Sequence, residues 1–490
     1  FQKAIRSLEI GCSGWISDRD NVLTDHVELE RLLRTPSPER IFFIRDAILT
    51  NKTNDEIYNL CFIDKWFLQK FREIIQIEIK LYSYKSLSEI DRDSFLQFKI
   101  NGFSDNQIAK YLSVTESEVR LRRKNLNVIP VYKTVDTCSA EFSSTTPYHY
   151  STYERPITNI NISRENVNQI ISLNQNEVES ESNVRKIMIL GGGPNRIGQG
   201  IEFDYCCCHA SFSAQKCGYK TIMVNSNPET VSTDYDTSDS LYFEPLTLED
   251  VANIIEVEEP FGIIVQFGGQ TPLNLSIKLK QWLKKKQKSD KKFPTKILGT
   301  SPESIDAAED REQFEIILRK LNIRQPSNGI ARTKEEALSI ASKITYPVVV
   351  RPSYVLGGRA MEIVFDEKEL NHYINEAVNV EPDHPVLIDQ YLENAIEVDV
   401  DALCDQHNEV LIGGIMEHIE PAGIHSGDSA CCLPTITLSK DTLKTIRDWT
   451  RKIANSLNVN GLINLQFAVQ KDSNDNEKVF IIEANPRASR

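Results

Sequence analysis

The sequence predicts a multidomain protein with an all-α domain first, a doubly wound α/β domain second and an α+β domain last. Three observations predict that order. Ile57, Leu60, Ile63, Phe67, Phe71, Ile74 and Ile75 recur at the three- and four-residue spacing of a helix face. From Arg185 onward, apolar runs end in glycine turns and alternate with helical stretches, the pattern of a parallel sheet. From Thr300 strands and helices come in blocks, and the chain closes on two apolar runs around a polar segment. At 490 residues the chain is too long for one compact core, and about three domains is the expectation.

In chain order, residues 1–15 read as a short helix stopped by glycine, the tail of an upstream unit. Residues 16–153 are assigned to the helical domain. Within it, Gly102 to Leu126 has a helix-turn-helix layout, with Ile108, Ala109 and Leu112 on one helix and Val119 on a second that carries Arg120, Arg122, Arg123 and Lys124. Alone, that suggests DNA reading. Two packed helices with a basic interface or solvated end fit the same residues, and the acidic chain around them favours that view. Residues 154–184, rich in Asn, Ser, Glu and Gln, suit a linker or disordered insertion.

Residues 185–299 form the α/β domain. Strand RKIMIL runs into GGGPNRIGQG, the strand–glycine turn–helix arrangement that cradles phosphate. The dinucleotide fingerprint fails because Arg196 stands at the third glycine, and the P-loop fails because Gln199 replaces its lysine. Strands TIMVNSNP and FGIIVQFGGQTP follow. Glycine turns at strand ends suit a small-molecule crevice, and plain close packing remains the alternative. Residues 300–490 begin with one long helix, SPESIDAAEDREQFEIILRKL, and continue through YPVVVRPS, the pair Gly357 and Gly358, VLIDQYL, EVDVDALC and VLIGGIMEHI to a helix over Leu438–Leu457.

The final stretch, Gly461 to Arg490, predicts a hairpin. Side chains alternate along a strand, so Glu483 and Asn485 share a face, Arg487 joins them if the chain stays extended, and Gln466 can lie opposite. One carboxylate and two amides, with no Cys or His, favour Mg²⁺ or Mn²⁺ over Zn²⁺. A solvent-facing polar hairpin face would carry the same residue types.

Seventy acidic against 56 basic residues give a net charge of −14, which disfavours general binding of a phosphate backbone. No run of roughly 18 apolar residues occurs, so no membrane span is expected. The ten cysteines include Cys206, Cys207 and Cys208 in a row and the neighbours Cys431 and Cys432, which suits buried thiols in a reducing compartment rather than a disulfide framework.

The runs GGGPNRIGQGIEFDYC, NSNPETVSTDYDTSDSLYFEP, QFGGQTPLNL, VVRPSYVLGGRAM, MEHIEPAGIHSGDSA and IEANPRASR closely resemble the large subunit of carbamoyl phosphate synthetase, in its carboxy-terminal half. GFSDNQIAKYL and VYKTVDTCSAEF resemble that family's oligomerisation domain, and FQKAIRSLEIG the end of its amino-terminal half. The resemblance implies a Rossmann-like pre-ATP-grasp domain and an ATP-grasp domain, here truncated. It implies nucleotide contacts from Arg311, Arg351, Gly357, Gly358, Gln390, Leu392, Glu397, Gly423, Ile424, His425 and Ser426, metal ligation by Gln466, Glu483 and Asn485, and arginines near the transferred phosphoryl group at Arg487 and Arg490.

The activity implied is ATP-dependent phosphorylation of carbamate with Mg²⁺ or Mn²⁺, feeding pyrimidine or arginine synthesis. Implied partners are a glutamine amidotransferase, the remaining synthetase half and further copies of the chain, with neither nucleic acid nor membrane. Cytoplasmic placement is expected, a mitochondrial one being the alternative. Another ATP-grasp enzyme acting on bicarbonate, or a non-catalytic assembly module, are the rival readings.

Overall fold

The computed structural model describes all residues except 16–21, 143, 156, 164–165, 174–175, 179–183, 197–199, 353–360, 377–384, 421, 423–428, 473 and 489–490. Two compact units result. One comprises 1–184, 222–229 and 238–259, and the other 185–221, 230–237 and 260–490.

In the first unit, helices His26–Arg34, Arg40–Leu49, Asn54–Cys61 and Lys65–Tyr82 close on Trp15, Leu29, Ile44 and Leu68. Helices Arg92–Ile100, Asp105–Leu112 and Glu116–Asn125 close on Phe95, Phe98, Ile108 and Val119. The helix-turn-helix layout has clear local causes. Ser104 caps the first helix by accepting from the Gln107 N–H, Ser113 ends it at φ 51°, and Thr115 with Glu118 forms a capping box on the second.

The basic residues of that second helix are committed to protein partners. Arg123 donates to both oxygens of Asp105, at 2.8 Å and 3.0 Å, and Lys99 reaches Asp105 at 2.9 Å and Glu249 at 2.5 Å, all four being buried. Arg120 and Lys124 each meet Glu256 at 2.7 Å, on the helix Leu248–Glu258. Arg122 donates to the Ser88 and Ile90 carbonyls. Burial alone would raise the Asp105 carboxyl, but Lys99 and Arg123 outweigh it and hold the group well below the usual carboxylate range.

These helices end at Asn125, short of the boundary near 153 expected for an all-helical domain. Val131–Thr134 pairs antiparallel with Tyr148–Thr152, which runs parallel to Ser240–Phe243, itself parallel to Lys220–Asn225. Val131, Tyr132, Tyr148 and Tyr150 are β-branched or aromatic, and a pleated surface suits them better than a helix. The Asn-rich segment expected as a linker carries an antiparallel pair, Ile157–Ser163 with Asn166–Leu173. Its Ile and Val residues supply the β-propensity that the overall composition masks.

In the second unit, Lys186–Leu190, Gly262–Ile264 and Lys296–Leu298 run parallel, with helices Ile201–Lys216 and Gln270–Ser289 between them in sequence. The glycine turns after the first two strands touch. A Cβ added at Gly268 would lie 2.4 Å from the Gly191 carbonyl oxygen. Backbone packed on backbone therefore accounts for Gly268.

A four-stranded antiparallel sheet follows, in the order Asn328–Ala331, Val386–Gln390, Val348–Pro352, Glu362–Val364. The expected single helix after Thr300 is two, Pro302–Glu309 and Arg311–Leu321, broken at Asp310. Asp310 is extended and accepts from the Gln313 N–H, so its carboxylate starts the second helix instead of continuing the first.

The last sheet has five strands in the order Cys431–Cys432, Val410–His418, Ile396–Cys404, Gly461–Lys471, Glu477–Asn485. One face carries Val398, Val400, Ile463, Leu465, Phe467, Val479, Ile481 and Ala484 into a core shared with helices Arg311–Leu321 and Lys440–Ser456.

All ten cysteines are free thiols. Cys61, Cys207, Cys208 and Cys404 are buried as expected, whereas Cys217 is exposed and the others are half-buried. No helix of the described residues is long and apolar enough to cross a membrane.

Asp105→Asn removes the carboxylate that pairs directly with both Lys99 and Arg123, and breaking such a buried pair costs about 3–5 kcal/mol. A urea titration read at helices Arg92–Ile100 to Glu116–Asn125 by hydrogen exchange is expected to show that loss at neutral pH. Because the folded pKa is depressed, the contribution is present above the ordinary Asp range and fades as pH falls toward the depressed value.

Candidate active site

The face of the five-stranded sheet opposite the core is polar because strand residues alternate. On Ile396–Cys404, the residues Glu397, Asp399 and Asp401 point away from the core that Val398, Val400 and Ala402 enter. The pairing then lays polar rows across the strands. Asp399 stands opposite Gln466 and Gln466 opposite Glu483, while Asp401 stands opposite Asn464 and Asn464 opposite Asn485.

The second half of that arrangement depends on an irregularity. Gln466 pairs with Glu483, yet the next residue, Phe467, pairs with Ile481, leaving Ile482 as an extra residue in the terminal strand. Val479 and Ile481 face the core, so strict alternation would send Glu483 and Asn485 inward after them. With the bulge, Ile482 is 41% exposed, Ala484 enters the core, and Glu483 and Asn485 join Gln466 on the polar face. Cross-strand partners share a face.

Locally, the Asn485 Nδ2 donates to Glu483 Oε1 at 2.9 Å, and Arg487 Nη2 donates to Asn485 Oδ1 at 3.4 Å. The Arg487 guanidinium stacks over the Phe203 ring, 5.1 Å from its centroid, and its Nε makes no hydrogen bond among the described residues. Burial pulls Arg487 below its ordinary pKa, against the attraction of Glu483, Glu309 and Glu202. Glu309, at the end of helix Pro302–Glu309, has its carboxyl raised by burial while Gln270 and Arg487 oppose the rise.

Further along the polar face, His418 Nε2 lies 3.0 Å from Asp399 Oδ2 and Nδ1 lies 3.6 Å from Glu397 Oε2. Asp399 is 2% exposed and its Oδ1 makes no hydrogen bond among the described residues. Leu392 is buried with Ala395 and Ala468, a small apolar patch beside these acids in sequence and register.

On the four-stranded sheet, Arg311 and Arg351 converge on one carboxylate. Arg311 makes a two-pronged pair with Asp389, at 2.6 Å and 2.9 Å, and Arg351 Nε lies 3.7 Å from the same group. Gln390 is taken up by the backbone of Ser327, bonding it through both main chain and side chain.

The structure thus brings Gln466, Glu483, Asn485 and Arg487 together at one end of a polar sheet face that also bears Glu397, and it joins Arg311 to Arg351 through Asp389. Gly357, Gly358, Gly423, Ile424, His425, Ser426 and Arg490 lie outside the described residues. Sequence reasoning missed Asp389, His418 and Glu309. Asp389 had a visible signal, a lone acid inside the apolar run VLIDQYL, whereas His418 and Glu309 acquire partners only through pairing and helix packing.

Among the described residues no group of three or more His, Cys, Asp and Glu is placed to hold a metal ion. The set Gln466, Glu483 and Asn485 is of a different kind, one carboxylate with two amides, whose oxygens fit a hard cation.

Comparison with known proteins covers most of the chain. Residues 1–127 match the family model for the oligomerisation domain of the carbamoyl-phosphate synthetase large chain, 183–307 the carbamoyl phosphate synthase preATP-grasp domain, and 310–490 the ATP-binding domain of the carbamoyl-phosphate synthase L chain. The carbamoyl phosphate synthase large chain of Nostoc sp. is 56% identical over 505 residues, covering 100% of this chain and 44% of that protein. The arginine-specific, chloroplastic large chain of Arabidopsis thaliana is 55% identical and is covered over 39% of its length. The chain therefore spans less than half the length of these relatives. Among solved structures, the biotin carboxylase domain of the Hydrogenobacter thermophilus 2-oxoglutarate carboxylase aligns over 62% of this chain and 64% of that one, at 19% identity and a TM-score of 0.46.

Deleting Ile482 is expected to drive Glu483 and Asn485 toward the core and lower the unfolding temperature sharply, whereas Ile482→Thr at the same exposed position leaves it nearly unchanged. Differential scanning calorimetry of the two variants checks this.

Glu309→Gln mimics the protonated form favoured by burial. A folded pKa above the unfolded one makes stability fall as pH rises through that window. The substitution should therefore raise the unfolding temperature at pH 7 and lose its benefit below the ordinary Glu range, as a melting series against pH would record.

Proposed function

The chain belongs to the carbamoyl phosphate synthase large-chain family, and from that premise we propose that it carries the ATP-dependent phosphorylation of carbamate to carbamoyl phosphate. What supports the reading most directly is the row Gln466–Glu483 with Asn485, turned onto the polar face by one extra residue. The helices up to Asn125, within the 1–127 match, would serve as the oligomerisation domain, 154–184 as an insertion, 185–299 as the pre-ATP-grasp domain and 300–490 as the ATP-grasp domain.

Carbamate oxygen would attack the γ-phosphorus of ATP, forming the new P–O bond as the bond to the β,γ-bridging oxygen breaks and ADP departs. No protein nucleophile enters. Such a reaction depends on alignment and on fixed positive charge near the equatorial oxygens. Gln466, Glu483 and Asn485 would hold Mg²⁺ or Mn²⁺, which when bound offsets phosphate charge. The Asn485 amide now turns its nitrogen to Glu483, so it must rotate to offer oxygen as a ligand.

Arg351 and Arg487 would supply the fixed charge, each with an Nε that makes no hydrogen bond among the described residues, and Arg490 would join them. Asp389 would hold Arg311 and Arg351 in place. Gly357, Gly358, Gly423, Ile424, His425 and Ser426 would cover the nucleotide, Gln390 and Leu392 would flank the adenine and Glu397 would meet the ribose.

Ammonia would come from a glutamine amidotransferase, and the product would feed pyrimidine or arginine synthesis. The remaining synthetase half and further copies of the chain complete the proposed assembly, in the cytoplasm or an organelle.

Calorimetry is expected to show Mg-ATP binding to the chain that Arg351→Ala and Glu483→Gln weaken. In the full-length enzyme, loss of one such group lowers carbamoyl phosphate formation by about 10² to 10³. Near-normal turnover by Glu483→Gln would refute the metal assignment, and ATP turnover driven by bicarbonate instead of carbamate would refute the substrate.

A further inference from the structure

Gln266 follows strand Gly262–Ile264 and takes no part in the site just described, yet it holds the backbone on both sides of Arg487. Its side-chain Nε2 donates to the Pro486 carbonyl at 3.0 Å, and its own carbonyl accepts from the Ala488 N–H at 3.0 Å. Its Oε1 accepts from the Thr300 N–H, also at 3.0 Å.

Thr300 extends the tie to the other end of the hairpin. Its hydroxyl donates to the Asn460 carbonyl at 3.1 Å and accepts from the Asn460 N–H at 2.9 Å, and Asn460 precedes strand Gly461–Lys471. Gln266 and Thr300 together therefore fasten the open end of the hairpin, the end near which Gln466, Glu483 and Asn485 lie.

The side chain is enclosed. Gln266 is 3% exposed, and Gly299, at φ +83°, passes so close that an added Cβ would fall 1.9 Å from Oε1. Only a primary amide offers the acceptor for Thr300 and the donor for Pro486 from one planar group. Glu lacks the donor, and Lys or Arg lacks the acceptor. Arg487 benefits from such support, because among the described residues its side-chain hydrogen bonds are a 3.4 Å contact to Asn485 and a 3.2 Å bond to the Ala488 carbonyl, with the Phe203 ring beneath the guanidinium.

We propose that Gln266 is a positioning residue that sets Arg487 against the phosphate end of the site by clamping Pro486 and Ala488. The inference rests on the nucleotide reading above for its functional consequence, while the clamp itself is separable from it.

The test uses Gln266→Met, which keeps the volume and loses both side-chain bonds, and Gln266→Glu, which keeps the Thr300 acceptor and loses the Pro486 donor. By calorimetry, each should weaken Mg-ATP binding to the chain by about tenfold and Mg-ADP binding much less. In an Arg487→Met background the Gln266→Met effect should vanish, and equal effects in both backgrounds would overturn the proposal.

Hydrogen exchange judges the clamp whether or not nucleotide binds. Faster exchange at Thr300 accompanied by faster exchange at Arg487 and Ala488 supports it, and acceleration at Thr300 alone refutes it. Wild-type chain that binds no Mg-ATP yet shows the coupled exchange would sink the nucleotide reading and leave the clamp standing. Should Gln266→Met unfold, Gln266→Glu carries both arms.

Discussion

One unpaired residue in the terminal strand governs which side chains reach the site. Ile482 resets the alternation so that Ala484 enters the core while Glu483 and Asn485 face Gln466. The energetic comparison favours this bulge clearly. Interrupting the ladder forfeits about one hydrogen bond, near 1 kcal/mol. Without the bulge Val479, Ile481, Glu483 and Asn485 would share one face, so either Val479 and Ile481, each worth about 1.5–3 kcal/mol when buried, would be exposed or an unpaired carboxylate would turn inward. Burial on one face thus fixes the chemistry displayed on the other.

Buried charge serves two different ends in the two units. Around Asp105, Lys99, Arg123 and Glu249 satisfy one another, and the basic helix end that resembles a DNA reader is spent on internal pairs. In the second unit, Asp399 Oδ1, Arg351 Nε and Arg487 Nε are left without hydrogen bonds among the described residues. Orphaned atoms also occur in the first unit, at Arg6 and Arg45, so an orphan alone is no sign of function. The distinguishing feature is convergence, since in the second unit they share one sheet face or one carboxylate with residues the family motifs mark.

Legibility followed the range of the interaction. Strands such as Ile396–Cys404 and Gly461–Lys471 were readable because period-two alternation is local, and the oxygen-ligand set was readable because Glu483 and Asn485 are two residues apart on one strand. The break at Asp310 was hidden inside a continuous helical pattern, because an acidic residue there fits either a helix or a cap. Residues 131–152 were assigned to a helical domain by proximity, although their aromatic content already favoured strands.

By itself the amino-acid sequence determined the order of helical, α/β and α+β regions, the motifs that identify the family, and the kinds of ligand its last strand can offer. Those follow from spacing and residue chemistry within a few positions. Only the tertiary structure decided that Ile482 bulges, that Arg311 and Arg351 share Asp389, and that Gln266 grips Pro486 from 220 positions away. Such pairings are chosen by the burial of whole faces and the closing of long loops, and no local periodicity records them.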